Sequence, residues 1–177
     1  MNRAKKIAIC GAFCALLIVI QYAFSAIKGV ELVTLFFITF CFTFGGLYGL
    51  LAAFSFSLLR CLLYGFFPNV LILYLVFYPT LALAAGVLGK RLKESSSFKQ
   101  LIAVTIFGLV CTVYFSALDC VVTPLFYNYT QKAWIAYVYQ CIPVCLIQCC
   151  STFASFLLLF LPLKKAFGLI AKRVEKP

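Results

Sequence analysis

Histidine is absent from this chain, and its acidic side chains number only four: Glu31, Glu94, Asp119 and Glu175. Paired carboxylates, His-activated nucleophiles and His/carboxylate metal sites therefore have almost no material to be built from. Hydrolytic chemistry is excluded on that ground, and the chain is not read as an enzyme. Charge of either sign is scarce as well, at 11% of residues, where soluble domains carry about a quarter. What is abundant is apolar: 66% of 177 residues, with a mean hydropathy of +1.12. Such a chain belongs in a bilayer. At roughly 20 apolar residues per crossing plus a turn, its length leaves room for about six helices and no sizeable soluble domain. Any ATPase or catalytic domain must be another chain.

Ten cysteines invite a redox or metal reading, yet no CxxC occurs. The spacings are Cys10/Cys14 and Cys141/Cys145/Cys149, with Cys149 and Cys150 adjacent. Buried free Cys behaves as a small apolar residue, and at i, i+4 on a membrane helix it serves packing. No metal site and no cofactor in this chain are expected.

The first apolar run, Ile7 to Ala26, follows the basic Arg3, Lys5 and Lys6. It exceeds the 7 to 15 residues of a signal-peptide core and reads as an uncleaved helix, with cleavage near Ala23 and Ser25 as the alternative. The next run, from Val30-Glu31 past Leu62, is too long for one crossing and breaks at Phe44-Gly45-Gly46-Leu47-Tyr48-Gly49, where glycines permit a tight reversal. A turn at membrane depth must be covered by protein, because lipid cannot satisfy its backbone. Gly65 to Asn69 makes another break, and the basic, serine-rich stretch Gly89 to Lys99 a third. The expectation is one all-α integral membrane domain, residues 1–177, with helices at about 7–27, 31–44, 47–64, 70–88, 98–118 and 133–161. Asp119 to Lys132 is expected to be a loop capping one face, and Pro143 a kink in the last helix.

Charge orients the bundle. With six transmembrane spans, twelve of the fifteen Lys and Arg residues fall on the side of the termini, while Lys28 and Lys132 fall opposite and Arg60 lies within a span. Both termini are therefore expected in the cytoplasm. The net charge of +11 follows from the same rule and from anionic headgroups, and makes no case for nucleic acid.

Polar groups in membrane helices are costly and are the functional suspects. On the outer side these are Glu31, Arg60, Asn69, Tyr74, Tyr78, Asp119, Asn128, Trp134, Tyr137 and Gln140, a rim of aromatic and hydrogen-bonding groups suited to a small ring-containing ligand. Tyr and Trp also populate interfacial belts, which is the competing reading of each aromatic. Arg60 should snorkel, pair with Glu31 or Asp119, or meet an anionic ligand. Gln148, deeper in the last helix, needs a partner. On the first helix Ala4, Ala8 and Ala12 recur four apart, with Gly11 and Ala15 extending a small-residue face that invites a partner helix.

Six helices in this length, a short second helix joined to the third through Phe44-Gly45-Gly46-Leu47-Tyr48-Gly49, and the Ala8-x-x-x-Ala12 motif together resemble the substrate-binding S components of energy-coupling factor (ECF) vitamin transporters. The resemblance implies a subunit that is not an enzyme. It implies binding of a vitamin or related micronutrient at the extracellular side of a prokaryotic plasma membrane. It further implies docking through Ala8 and Ala12 on a membrane coupling subunit driven by two separate cytoplasmic ATPases, which use the ATP. The stretch Gly86-Val87-Leu88-Gly89-Lys90-Arg91 lacks the spacing and Ser/Thr of a phosphate loop, so the chain cannot energise transport itself. A gate formed by the Asp119–Lys132 loop is expected to close over ligand. Two other readings stand beside this one: a structural, self-assembling membrane protein that dimerises through Ala8/Ala12, and a thiol-redox enzyme using Cys120.

Overall fold

The computed structural model describes residues 3–25, 27, 29 and 31–175. Ala26, Val30 and the cations Lys28 and Lys176, which enter the span and charge readings above, lie outside the described residues, as do the side chains of Arg3, Ala4 and Lys6. The helices are α1 (Arg3–Ala23), α2 (Leu32–Phe44), α3 (Gly46–Tyr64), α4 (Pro68–Leu92), α5 (Ser97–Phe126) and α6 (Gln131–Glu175), and no strand occurs among the described residues. By length and apolar composition α3 to α6 can each cross a membrane, whereas the apolar parts of α1 (Ile7–Ala23) and α2 are shorter. The 13 residues of α2 rise only about 20 Å, against roughly 30 Å of hydrocarbon.

The turn between α2 and α3 forms where the glycines require it. Gly45 has φ +92, a region that favours glycine, and its N–H returns to Cys41 O at 2.9 Å. Cover comes from α4. A Cβ built on Gly86 would lie 2.4 Å from the Gly46 nitrogen, and one on Gly89 would lie 2.5 Å from Phe42 O. Ala82 and Ala85 are fully buried in the same stretch, so α4 offers a small-residue seam that brings backbones together, as small-xxx-small faces do in membranes.

The core is aromatic. Phe13 of α1 stacks on Phe40 of α2 at 4.0 Å, and Phe167 of α6 meets both rings edge-on. Cys10 and Cys14 fill the α1–α3 contact, their thiols pointing to Tyr48 O (3.7 Å) and Ala52 O (3.4 Å). Between α5 and α6 the buried hydroxyls of Thr112 and Thr152 share a 2.9 Å hydrogen bond.

Three expectations need correction. α5 does not end at Leu118 but continues to Phe126, so most of the expected Asp119–Lys132 loop is helix, and a gate of that length does not exist. The reason is local: Asp119 accepts from Thr123, one turn on, at 2.7 Å, which satisfies the carboxylate inside the helix. Only residues 127–130 connect α5 to α6, with Asn128 at φ 50, a conformation Asn tolerates. α6 likewise runs through both Pro143 and Pro162 to Glu175. At 45 residues it is about 67 Å long and outreaches any bilayer core. Arg60, further, forms no ion pair with either expected carboxylate among the described residues.

Gly86→Ala should overpack the α3–α4 crossing and cost about 1–3 kcal/mol, read as a lowered thermal midpoint in detergent. Gly11→Ala, where a Cβ meets nothing within 4 Å, should leave that midpoint unchanged or slightly raised.

Candidate functional site

At the N-terminal end of α2 the helices enclose a cavity of about 280 Å³. The C-terminal turn of α1 supplies Ile20 and Gln21, and the α1–α2 connection supplies Phe24, Ser25, Ile27 and Gly29. Glu31, Leu32, Val33 and Thr34 come from the start of α2, Tyr74, Phe77 and Tyr78 from α4, Phe115 from α5 and Gln148 from α6. Tyr74 and Tyr78 are set at i, i+4 on one face of α4, with rings 5.1 Å apart and nearly perpendicular. Phe77 meets Phe115 at 4.9 Å. Gly29 has φ +90, and a Cβ there would lie 2.6 Å from Ile147 Cγ2, so the connection passes close against α6.

Polar groups on this wall are partly committed. Glu31 donates its N–H to Ser151 Oγ at 3.4 Å, tying the start of α2 to α6, and its Oε2 accepts from Thr34 Oγ1 at 2.9 Å. Gln21 donates from Nε2 to Tyr74 OH at 3.1 Å, while its Oε1 is buried without a partner. Gln148 accepts from Ser116 Oγ at 3.5 Å. Among the described residues, Glu31 is the charged side chain on the cavity wall.

Arg60 stands outside that wall. Its guanidinium lies 5.0 Å from the Tyr74 ring centre and 5.3 Å from that of Tyr64, within cation–π range, and its Nε and Nη1 are buried with no hydrogen-bond partner. Both oxygens of Asp119, one of the expected partners, are taken by Thr123 and Tyr137. Arg60 therefore meets the cavity wall at Tyr74, whose ring it faces from outside the cavity.

The remaining candidates gather elsewhere. Asp119, Tyr137 and Gln140 line a second cavity of about 290 Å³ between α5 and α6, which shares Phe115 and Gln148 with the first. Tyr137 OH donates to Asp119 Oδ2 at 2.6 Å, Asn69 Nδ2 to Thr123 Oγ1 at 3.4 Å, and Tyr127 OH to Asn69 Oδ1 at 3.4 Å. Trp134 donates its indole N–H to Cys120 O at 2.9 Å. Asn69, Asn128 and Trp134 line neither cavity; Asn69 and Trp134 are clasps that hold α4, α5 and α6 together, and Asn128 shapes the short turn. Sequence reading passed over Gln21, Thr34 and Phe115. A polar Gln in an otherwise apolar helix was the available signal for the first; Phe115 had none, being one of twenty phenylalanines. Cys120, the thiol of the redox reading, faces Cys141 across the α5–α6 contact.

Residues 5–160 match the family described as ECF transporter, substrate-specific component. The chain belongs to that family. It is a family of transporter components, not of enzymes, and with the apolar helices it makes this ECF substrate-specific component a membrane transport protein. No curated protein and no solved structure matches the chain.

Asp119→Ala strips partners from both Thr123 and Tyr137 and should lower stability by about 1–3 kcal/mol, whereas Gln140→Ala, on an exposed side chain of the same cavity, should leave the unfolding midpoint within error. Thermal unfolding in detergent compares the two.

Proposed function

We propose that this chain binds a vitamin-like micronutrient in the cavity at the N-terminal end of α2, on the extracellular side, and delivers it through a coupling subunit powered by separate ATPases. The observation that carries the reading is the cavity's composition: aromatic rings of Tyr74, Phe77, Tyr78 and Phe115 around the polar ends of Glu31, Gln21 and Gln148. Rings of this kind favour a flat ligand by stacking. A carboxylate on the wall favours an amine or other positively charged nitrogen, and the volume, at the lower end of ligand cavities, favours one or two rings. Given six spans, both termini are cytoplasmic, because the cations then gather at that end.

Docking falls to α1. Ala8, Gly11, Ala12 and Ala15 are exposed while Cys10, Phe13, Cys14 and Leu17 on the opposite face are buried. Ala12 also lines an apolar groove of about 180 Å³ with Phe13, Phe40 and Phe167. Small side chains there let a partner helix approach closely. The groove thus lies at the other end of α2 from the ligand cavity, and ligand can influence docking only to the extent that it binds the docked and undocked states differently.

A thermal-shift panel of vitamins, their precursors and nucleobase-like compounds tests the binding reading; nanomolar binding at micromolar ligand should stabilise the fold by about 4 kcal/mol. Glu31→Gln and Tyr78→Ala should each weaken the hit at least about tenfold, and failure of every compound on folded protein would count against the cavity. With an amine ligand, wild-type affinity should fall at acid pH, because protonation of the Glu31 carboxylate removes its charge, and Glu31→Gln should flatten that profile. Ala12→Leu should leave binding in detergent intact while abolishing co-purification with the coupling subunit; unaltered co-purification would overturn the docking role.

A further inference from the structure

A different cavity, of about 370 Å³, opens at the C-terminal end of α2. Three lysines line it, Lys90 and Lys93 from the end of α4 and Lys164 from α6, above Phe42 and Phe44. Among the described basic residues, Lys5, Arg91, Lys99, Lys165, Lys172 and Arg173 do not line it, so the convergence is more than a general excess of charge at this end. Lys164 is held in place: its ammonium donates to Gln100 Oε1 and lies 5.9 Å from the Phe42 ring. Gln100 is buried to 2% exposure and is itself fixed by donating to Leu92 O at 2.7 Å and Ser95 O at 3.0 Å. An ammonium has three donors, so Lys164 keeps capacity for a further acceptor. Room is provided by Gly45 and Gly168, where a Cβ would meet nothing within 4 Å. The C-terminal end of α2 contributes about half a negative charge, which three ammonium groups outweigh.

We propose that this cavity binds the phosphate of an anionic phospholipid headgroup, with Lys90, Lys93 and Lys164 as its clamp. Phosphate chemistry alone would equally suit a free phosphate ion. Another face of the same stretch of α4 favours the lipid: Arg91, next to Lys90 in the chain, stands at the end of a largely apolar groove of about 570 Å³ between α4 and α5, lined by Thr80, Leu83, Ala84, Val87, Leu88 and Phe107. Leu83 and Val87 are half exposed there, in position to contact an acyl chain. Basic cavities between membrane helices at the cytoplasmic face are suited to anionic headgroups. The assignment does not depend on which micronutrient the first cavity takes.

Native mass spectrometry of the purified full chain, after equilibration with phosphatidylglycerol or phosphatidylcholine, tests it. Phosphatidylglycerol should be retained in preference to phosphatidylcholine, and the double variant Lys90→Gln/Lys93→Gln should reduce that retention about tenfold or more. Gly168→Leu supplies a second test, since it replaces a helical glycine by a better helix former while filling the cavity; it should hold or raise the unfolding midpoint in neutral detergent and still lose the lipid. Equal retention of the two lipids, or undiminished phosphatidylglycerol in both variants, would overturn the site. If millimolar inorganic phosphate alone raised the wild-type midpoint as far as the lipid did, and failed to do so in the variants, the lipid assignment would fall in favour of the free ion.

Discussion

Gly86 approaches the backbone of Gly45 and Gly46 so closely that no side chain fits between them, and the arrangement of the bundle depends on that crossing. An irregular turn inside an apolar layer has backbone groups that lipid cannot satisfy, so it must be shielded by protein. The small-residue seam Ala82, Ala85, Gly86 and Gly89 performs the shielding, and in doing so it fixes the height and rotation of α4 against α2 and α3. Because Tyr74 and Tyr78 lie two to three turns back along the same helix, the crossing also determines where their rings meet the start of α2. A close contact at one end of α2 thus shapes the cavity at the other.

The second organising feature is the contact of α5 with α6. Thr112 with Thr152 in the middle, Asp119 with Tyr137 further along, and Lys164 with Gln100 at the opposite end form a ladder of polar contacts between otherwise apolar helices. Each is a modest stabiliser, but each also pins a cavity wall. Asp119 and Tyr137 spend their hydrogen-bonding capacity on one another, which is why they are less available to a ligand than Glu31 or Gln148. Arg60 differs in lying against the rings of Tyr64 and Tyr74, with two nitrogens buried and unsatisfied, so it reaches the cavity wall at Tyr74 without lining the cavity itself.

Much of the helical plan was legible in the chain. The breaks at Gly45–Gly46 and Gly65–Asn69 mark the ends of α2 and α3 to within a residue, because glycine and proline punctuate helices through local backbone sterics. The end of α5 was not legible for the same kind of reason turned around. A carboxylate, a proline and several aromatics within a few residues read as a loop, yet Thr123 one turn away and Tyr137 on the next helix satisfy Asp119 without leaving the helix. The end of α6 lay beyond the expected residue 161 as well, since the helix continues through Pro162 to Glu175.

What the sequence determined by itself was the solvent of this protein and the class of work open to it: apolar runs, few acids and no histidine are properties of composition, and partition into a bilayer depends on composition summed along each run. What the tertiary structure decided was which polar residues act together. Gln21 and Tyr74 bond across 53 positions of chain, and Glu31 meets Ser151 across 120. Asn69 and Trp134, polar or aromatic like the true cavity residues, turn instead toward neighbouring helices. No local pattern distinguishes these groups, because the face a helix presents to a cavity is set by the helices packed against it, and in this chain that packing follows from where glycine lets two backbones touch.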